Sequence, residues 1–355
     1  MRKFSVISIV CVLLSAVAPS MFAAPEPGVA LGRATILHDV RPSQPAERVR
    51  VAWLSEWSDG LAGTPADTRV FIIDSGAPGA TVFVAGGTHA NEIAGVLTAV
   101  LLAERALPSA GRLIVIPDLN NSASTYTESA AMPSWIRVDT ARGPRFFKFG
   151  ARFTDPAQQG MPDPERYVHP KGGDVLDGAE ARNLDRAYPG KPDGNLTQKL
   201  AWAVMTLLRS EHVDVAFDLH EAGAESRLAN MIVANPKNLD TAALAVINLE
   251  MDGLSMKLEP SSETFHGLSH REWGDATDAY AFLIETPNPA QSSEHGNPTE
   301  DPKYPLQLRV ATHLASVGAI LDAWNDGAAP DRRIAFSYYP DWRTVKDQGV
   351  GALLN

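Results

Sequence analysis

The feature that most limits what this chain can become is a set of short apolar runs that read as buried strands. Residues 81–85, 112–117, 212–220 and 279–285 are of strand length, rich in β-branched and aromatic side chains, and bounded by turn-forming residues. Residues 93–103, between the first two, are apolar over a helical length. Strand, helix, strand at that spacing predicts a parallel βαβ unit. Further strands are expected at 48–54, 70–74 and 228–234, and helices at 196–208, 239–254 and 306–324. The expected architecture is α/β: a mixed, largely parallel sheet flanked by helices in three layers.

Three of these runs stop at polar side chains of a matching kind. The 81–85 run leads into Gly86-Gly87-Thr88-His89-Ala90-Asn91-Glu92, the 212–220 run ends in His220, and the 279–285 run ends in Glu285. Parallel strands deliver their ends to one edge, which is where open α/β sheets place ligand sites. Two histidines and a carboxylate form the three-ligand set of a catalytic zinc site with one open position. His89, Glu92 and His220 are therefore the expected metal ligands, with Glu285 as the expected acid/base for the water that the metal acidifies. Plainer readings stay open for the parts: Glu92 as a helix cap on a polar turn, and Glu285 as a partnered strand-end acid. His266 and His270, four apart with Gly267 between them, are expected in a loop.

Composition narrows the function classes. With 355 residues, 45% of them hydrophobic, the chain can build a large core. A net charge of −11, spread along the chain, argues against a nucleic-acid partner. Arg2 and Lys3, an apolar stretch to Val17 and small residues up to Ala24 predict a secretory signal at 1–24. The expected location is periplasmic or secreted, with no membrane attachment after cleavage. The single cysteine, Cys11, lies in that signal, so no disulfide, thiolate site or cysteine nucleophile is expected in the mature chain. There is no G-x-S-x-G elbow for a serine nucleophile. The catalytic domain is expected to span 25–327, with 328–355 a loosely attached C-terminal tail. Within it, residues 122–194 lose all periodicity yet carry too many aromatics for disorder, and are expected to be pocket-lining loops.

Four motifs together extend the reading. Gly-Gly-Thr-His89-Ala-Asn-Glu92, Asn183-Leu184-Asp185-Arg186-Ala187-Tyr188-Pro189-Gly190, Asp218-Leu219-His220 and Ile284-Glu285-Thr286-Pro287 resemble, in order, the succinylglutamate desuccinylase/aspartoacylase family of the zinc carboxypeptidase superfamily. The resemblance implies a zinc carboxypeptidase-like fold and one Zn2+ held by His89, Glu92 and His220. It also implies Glu285 as general base and acid, and Asn183 and Arg186 as the grip on a substrate carboxylate. An upstream arginine would stabilise the oxyanion: Arg166 is the first choice, with Arg182, Arg145 and Arg152 as rivals. Ala90 and Asp185 depart from the family's usual Gly and Asn. Glu221 adds a second acid beside His220, to act either behind the metal or on substrate. The implied activity is hydrolysis of an amide beside a carboxylate, in a small acylated amino acid or a peptide. A carboxypeptidase on cell-wall peptides, an esterase and a non-catalytic peptide binder are the alternatives.

Overall fold

The computed structural model describes residues 38–291 and 296–355; the expected signal at 1–24, with Cys11, lies outside the described residues. The strands are β1 (Val49–Trp53), β2 (Arg69–Asp74), β3 (Thr81–Gly86), β4 (Leu107–Ala110), β5 (Arg112–Ile116), β6 (Trp135–Thr140), β7 (Gly143–Lys148), β8 (Arg166–Tyr167), β9 (Leu176–Asp177), β10 (Val215–Gly223), β11 (Met231–Ala234), β12 (Lys257–Pro260), β13 (Tyr280–Asn288) and β14 (Ala335–Tyr338). The helices are α1 (Ile93–Arg105), α2 (Asn121–Ser124), α3 (Leu196–Ser210), α4 (Leu239–Met251), α5 (Ser269–Ala276), α6 (Leu306–Gly327) and α7 (Trp342–Gln348).

Eight strands form one sheet in the order β1-β2-β5-β3-β10-β13-β11-β12. The central β5, β3, β10 and β13 are parallel, while β2 and β11 run against their neighbours β5 and β13. The sheet is mixed and largely parallel, as the strand runs predict. Its central strands are apolar at nearly every position because both faces are covered. Val82, Val84, Phe217, Leu219 and Ile284 point into a core shared with α1, α4 and α6. Phe83, Ala85, Ala216 and Ala281 point into a second core, completed by α3 and Trp273 of α5.

Two glycines let the chain turn where the site forms. Gly95 of α1 lies so close to β10 that a Cβ there would stand 2.4 Å from the Leu219 carbonyl oxygen. Gly87, just past β3, has φ +75°, a conformation that side chains rarely adopt. Together they bring the residues after β3 across the end of β10.

Two sequence expectations need correcting here. The stretch 328–355 is not a loose tail. β14 pairs with β4, α7 packs on α6, and Val345, Val350 and Leu354 are buried in the main core. Asn355 is itself buried, its backbone N–H donating to Glu104 Oε2 at 2.9 Å. The stretch 122–194 is only partly pocket wall. β6 and β7 form a hairpin whose Ile136, Val138 and Phe147 join the main core beside those C-terminal residues, and no residue of the hairpin lines the cavity.

Candidate functional site

At the carboxyl edge of the parallel strands lies a cavity of about 380 Å3. His220 and Glu285 are direct register partners on β10 and β13, on one face and about 4.8 Å apart along the hydrogen-bonding direction. His89 and Glu92 come from the turn after β3, where the Glu92 N–H donates to the His89 carbonyl at 3.1 Å. All four side chains line the cavity.

His89, Glu92 and His220 bring one ligand atom each to within 4.8 Å of one another, all three buried. His89 Nδ1 lies 2.7 Å from Glu92 Oε1, and His220 Nδ1 lies 3.0 Å from Glu92 Oε2. The outer nitrogens face other acceptors. His89 Nε2 is 2.9 Å from Asn183 Oδ1, and His220 Nε2 is 2.9 Å from Asp218 Oδ2. Asn183 Oδ1 also accepts the Asp185 N–H, so it can only receive a hydrogen bond from the imidazole. With Nε2 as the protonated nitrogen, each Nδ1 turns a lone pair toward the carboxylate. Three lone-pair-bearing groups meeting in a buried place repel one another unless a proton or a cation lies between them. The donor set fits a divalent metal; Asn183 supplies the outer hydrogen bond that fixes His89, and Asp218 faces His220 as an ion pair out of hydrogen-bond alignment.

Charge at this cluster is strongly coupled. Burial pushes the Glu92 carboxyl up, but His89 and His220 outweigh it and hold it well below the usual carboxylate range. Burial pulls the His220 imidazole down, but Asp218 and Glu92 outweigh it and hold it well above its ordinary value. Burial pushes Glu285 up to about 8, even against the pull of His220. Glu285 Oε2 has no hydrogen-bond partner among the described residues, so Glu285 is not a partnered strand-end acid.

Glu92 occupies the N-cap position of α1, yet its side chain makes no cap bond. The cap comes from another strand: Glu221 Oε2 accepts the Ala94 N–H at 2.9 Å. Glu221 lies on the opposite face of β10 from His220, ion-paired to the buried Arg309. Its backbone N–H donates to Glu92 Oε2 at 2.9 Å and so helps aim that carboxylate. Glu221 thus stands behind the cluster, and its carboxylate is committed on the far side of the strand.

The structure rearranges the expected arginines and the Asn183/Arg186 pair. Arg166 is exposed on β8; alternation along the strand sends Tyr167 toward the cavity and Arg166 away from it. Arg145 is buried against Glu104, and Arg182 pairs with Asp163 and donates to the Thr154 carbonyl. Arg152 is the one of the four that lines the cavity, its Nη1 3.3 Å from His89 Nδ1 and 3.4 Å from Glu92 Oε1. Arg186 lines the cavity too. Asn183 does not: it is fully buried, with its amide held between His89 and Glu180. Asp185, whose carboxylate accepts the Ser269 N–H at 2.7 Å, lines the cavity in its stead.

Two residues on the site were given no role from sequence. Asp218 sits two positions before His220, and that spacing puts both on one face of the strand, the signal that would have found it. His270 lies on α5 and not in the expected loop; it is buried, lines the cavity, and has Nδ1 2.9 Å from Ser261 Oγ.

No protein-family model and no curated protein matches the sequence. Solved structures do match. A metallo-carboxypeptidase from Burkholderia cenocepacia superposes with a TM-score of 0.51 at 12% identity, over 79% of this chain and 66% of that one. The fold is metallo-carboxypeptidase-like. A succinylglutamate desuccinylase from a Silicibacter species matches at a TM-score of 0.46 and 19% identity, over 80% of this chain and 70% of that one. A succinylglutamate desuccinylase/aspartoacylase from Rhodobacter sphaeroides matches at 0.45 and 15%, over 79% and 68%.

Proposed function

We propose that this chain is a zinc-dependent hydrolase that cleaves an amide bond next to a free carboxylate. The observation that carries the reading is the convergence of two imidazole Nδ1 atoms and one carboxylate, with the unpartnered Glu285 carboxyl on the neighbouring strand. A divalent cation bound there acidifies a water and polarises a carbonyl. Glu285 takes the proton of the attacking water and returns it to the leaving nitrogen, so the acyl half leaves as an acid and the other half as an amine. Arg152 donates to the carbonyl oxygen as negative charge builds on it. Arg186 holds the carboxylate of the substrate. Asn183 and Asp218 keep the two imidazoles turned, and touch no substrate. We further propose that 1–24 is a secretory signal and that the mature enzyme works in the periplasm or outside the cell; the N-terminal residue of the exported protein tests this.

Three variants test the chemistry. Glu285→Gln should keep its metal and lose about 10²–10⁴ in turnover. His220→Ala should lose the metal and the activity together. Arg152→Ala should cost about 10²–10³ in kcat with metal content unchanged. Full activity in the first or second ends the proposal. Release of single residues from peptide ends, against release of acids from N-acyl amino acids, then separates carboxypeptidase from deacylase.

A further inference from the structure

The cavity extends past the His89, Glu92, His220 cluster onto an apolar floor. Leu283 and Val233, 3% and 4% exposed, are register partners on β13 and β11, and Leu228 packs against them. Leu283 lies two residues before Glu285, on the same face of the strand. Phe265 and Leu268 add apolar wall.

Most of the charged groups around this floor are committed to one another, Asp174 on the cavity wall being without an ion-pair partner among the described residues. Arg227 grips Glu259 through two bonds of 2.6 and 3.0 Å. Asp185 caps the Ser269 N–H and faces Arg186 at 3.8 Å. Arg152 stands at Glu92, beside the metal cluster. His270 adds no charge, since burial pulls it down to about 4. For a ligand there remain the Arg186 guanidinium, the His266 and His270 imidazoles, the Asp174 carboxylate and an aliphatic surface.

Resting on the hydrolase reading above, we propose that the carboxylate-bearing residue released by this enzyme has an uncharged, apolar side chain that lies on Leu228, Val233 and Leu283. A second carboxylate there would lose its water and meet no uncommitted cation among the described residues, which is strongly unfavourable. An ammonium laid on this aliphatic floor would likewise give up its water. Acidic residues, which the resemblance to succinylglutamate and N-acyl-aspartate hydrolases implies, should therefore be poor substrates.

The test is a matched series on the metal-loaded, full-length protein: N-acetyl-leucine, N-acetyl-phenylalanine, N-acetyl-aspartate and N-acetyl-lysine, and the same four residues at the end of one blocked dipeptide. The kcat/KM for leucine and phenylalanine should exceed that for aspartate and lysine by about 100-fold or more. Aspartate within threefold of leucine, or above it, overturns the proposal. Equilibrium binding of the same compounds to the Glu285→Gln protein separates the two ideas. If the wild type turns over none of them, the hydrolase reading fails, while a preference of the variant for leucine still supports the apolar floor. Equal binding, or none, overturns it. Leu228→Arg, at the half-buried edge of the floor, should raise aspartate binding relative to leucine at least tenfold; an unchanged ratio counts against the floor as the selecting surface.

Discussion

The orientation of two imidazole rings is where the chemistry of this site begins. Asn183 turns His89 and Asp218 turns His220, so that both present Nδ1 to the Glu92 carboxylate. Losing one outer partner should cost metal affinity before it costs anything else. Asn183→Ala is expected to weaken zinc binding 10–100-fold, as read by competition with a chromophoric chelator. An unchanged affinity would return Asn183 to the substrate side. Proton linkage gives a second check. Without metal, His220 is held well above its ordinary range and Glu285 lies at about 8, so near pH 7 both carry protons. A bound cation takes the His220 lone pair and pulls the Glu285 carboxyl back down. Zinc binding near pH 7 should therefore release protons, and affinity should strengthen as pH rises toward 8. Calorimetry in buffers of differing ionisation heat measures this; no proton release would contradict the arrangement. At this scale the sequence was most informative for side chains that end strands. It misled on Asn183, because an Asn three residues before an Arg reads as a pair, whereas the Asn183 amide is buried and committed to His89 and Glu180 and only Arg186 reaches the cavity.

Elements are held in place here by side chains borrowed from their neighbours. α1 begins without a cap of its own, and Glu221 of β10 supplies one while pairing with the buried Arg309. Burial raises the Glu221 carboxyl despite that guanidinium, and removing one partner would leave the other buried without compensation. Glu221→Ala leaves a buried guanidinium without its carboxylate and should destabilise the protein by about 3–5 kcal/mol, visible as a lowered denaturant midpoint. A shift corresponding to less than about 1 kcal/mol would mean that the pair and the cap are dispensable. α5 shows why some elements escaped the sequence. Ser-His-Arg-Glu-Trp-Gly-Asp-Ala has no apolar stripe and a glycine inside, so nothing local marks it as a helix. It is held from outside: Asp185 on its first N–H, Lys237 Nζ on the Gly274 carbonyl, and Trp273 buried in the core. The central strands and the long helices carry their own apolar pattern and were legible from it.

For the molecule as a whole, the last residues close the structure around the hairpin and α6. Val345, Val350 and Leu354 are buried together with Ile136, Val138 and Phe147, which are distant from them in sequence. Deleting 335–355 exposes those three side chains, at roughly 1.5–3 kcal/mol each, and should cost about 5 kcal/mol or more. A thermal unfolding curve left in place by that deletion would restore the idea of a loose tail. That idea arose because Gly327, Ala328, Ala329 and Pro330 look like a linker, and because contacts with residues two hundred positions away leave no local trace. The three-layer order was readable, since apolar strands covered on both faces demand helices on both sides.

His220 and Glu221 are adjacent, yet one serves the cavity and the other anchors a helix through the sheet. A slip of β10 by one position would turn both to the wrong face, taking the imidazole out of the cavity and the Glu221 carboxylate away from Arg309. Insertions or deletions within this strand should therefore abolish metal uptake and helix anchorage together. Anyone transplanting the centre into another scaffold would have to carry both sides of the strand.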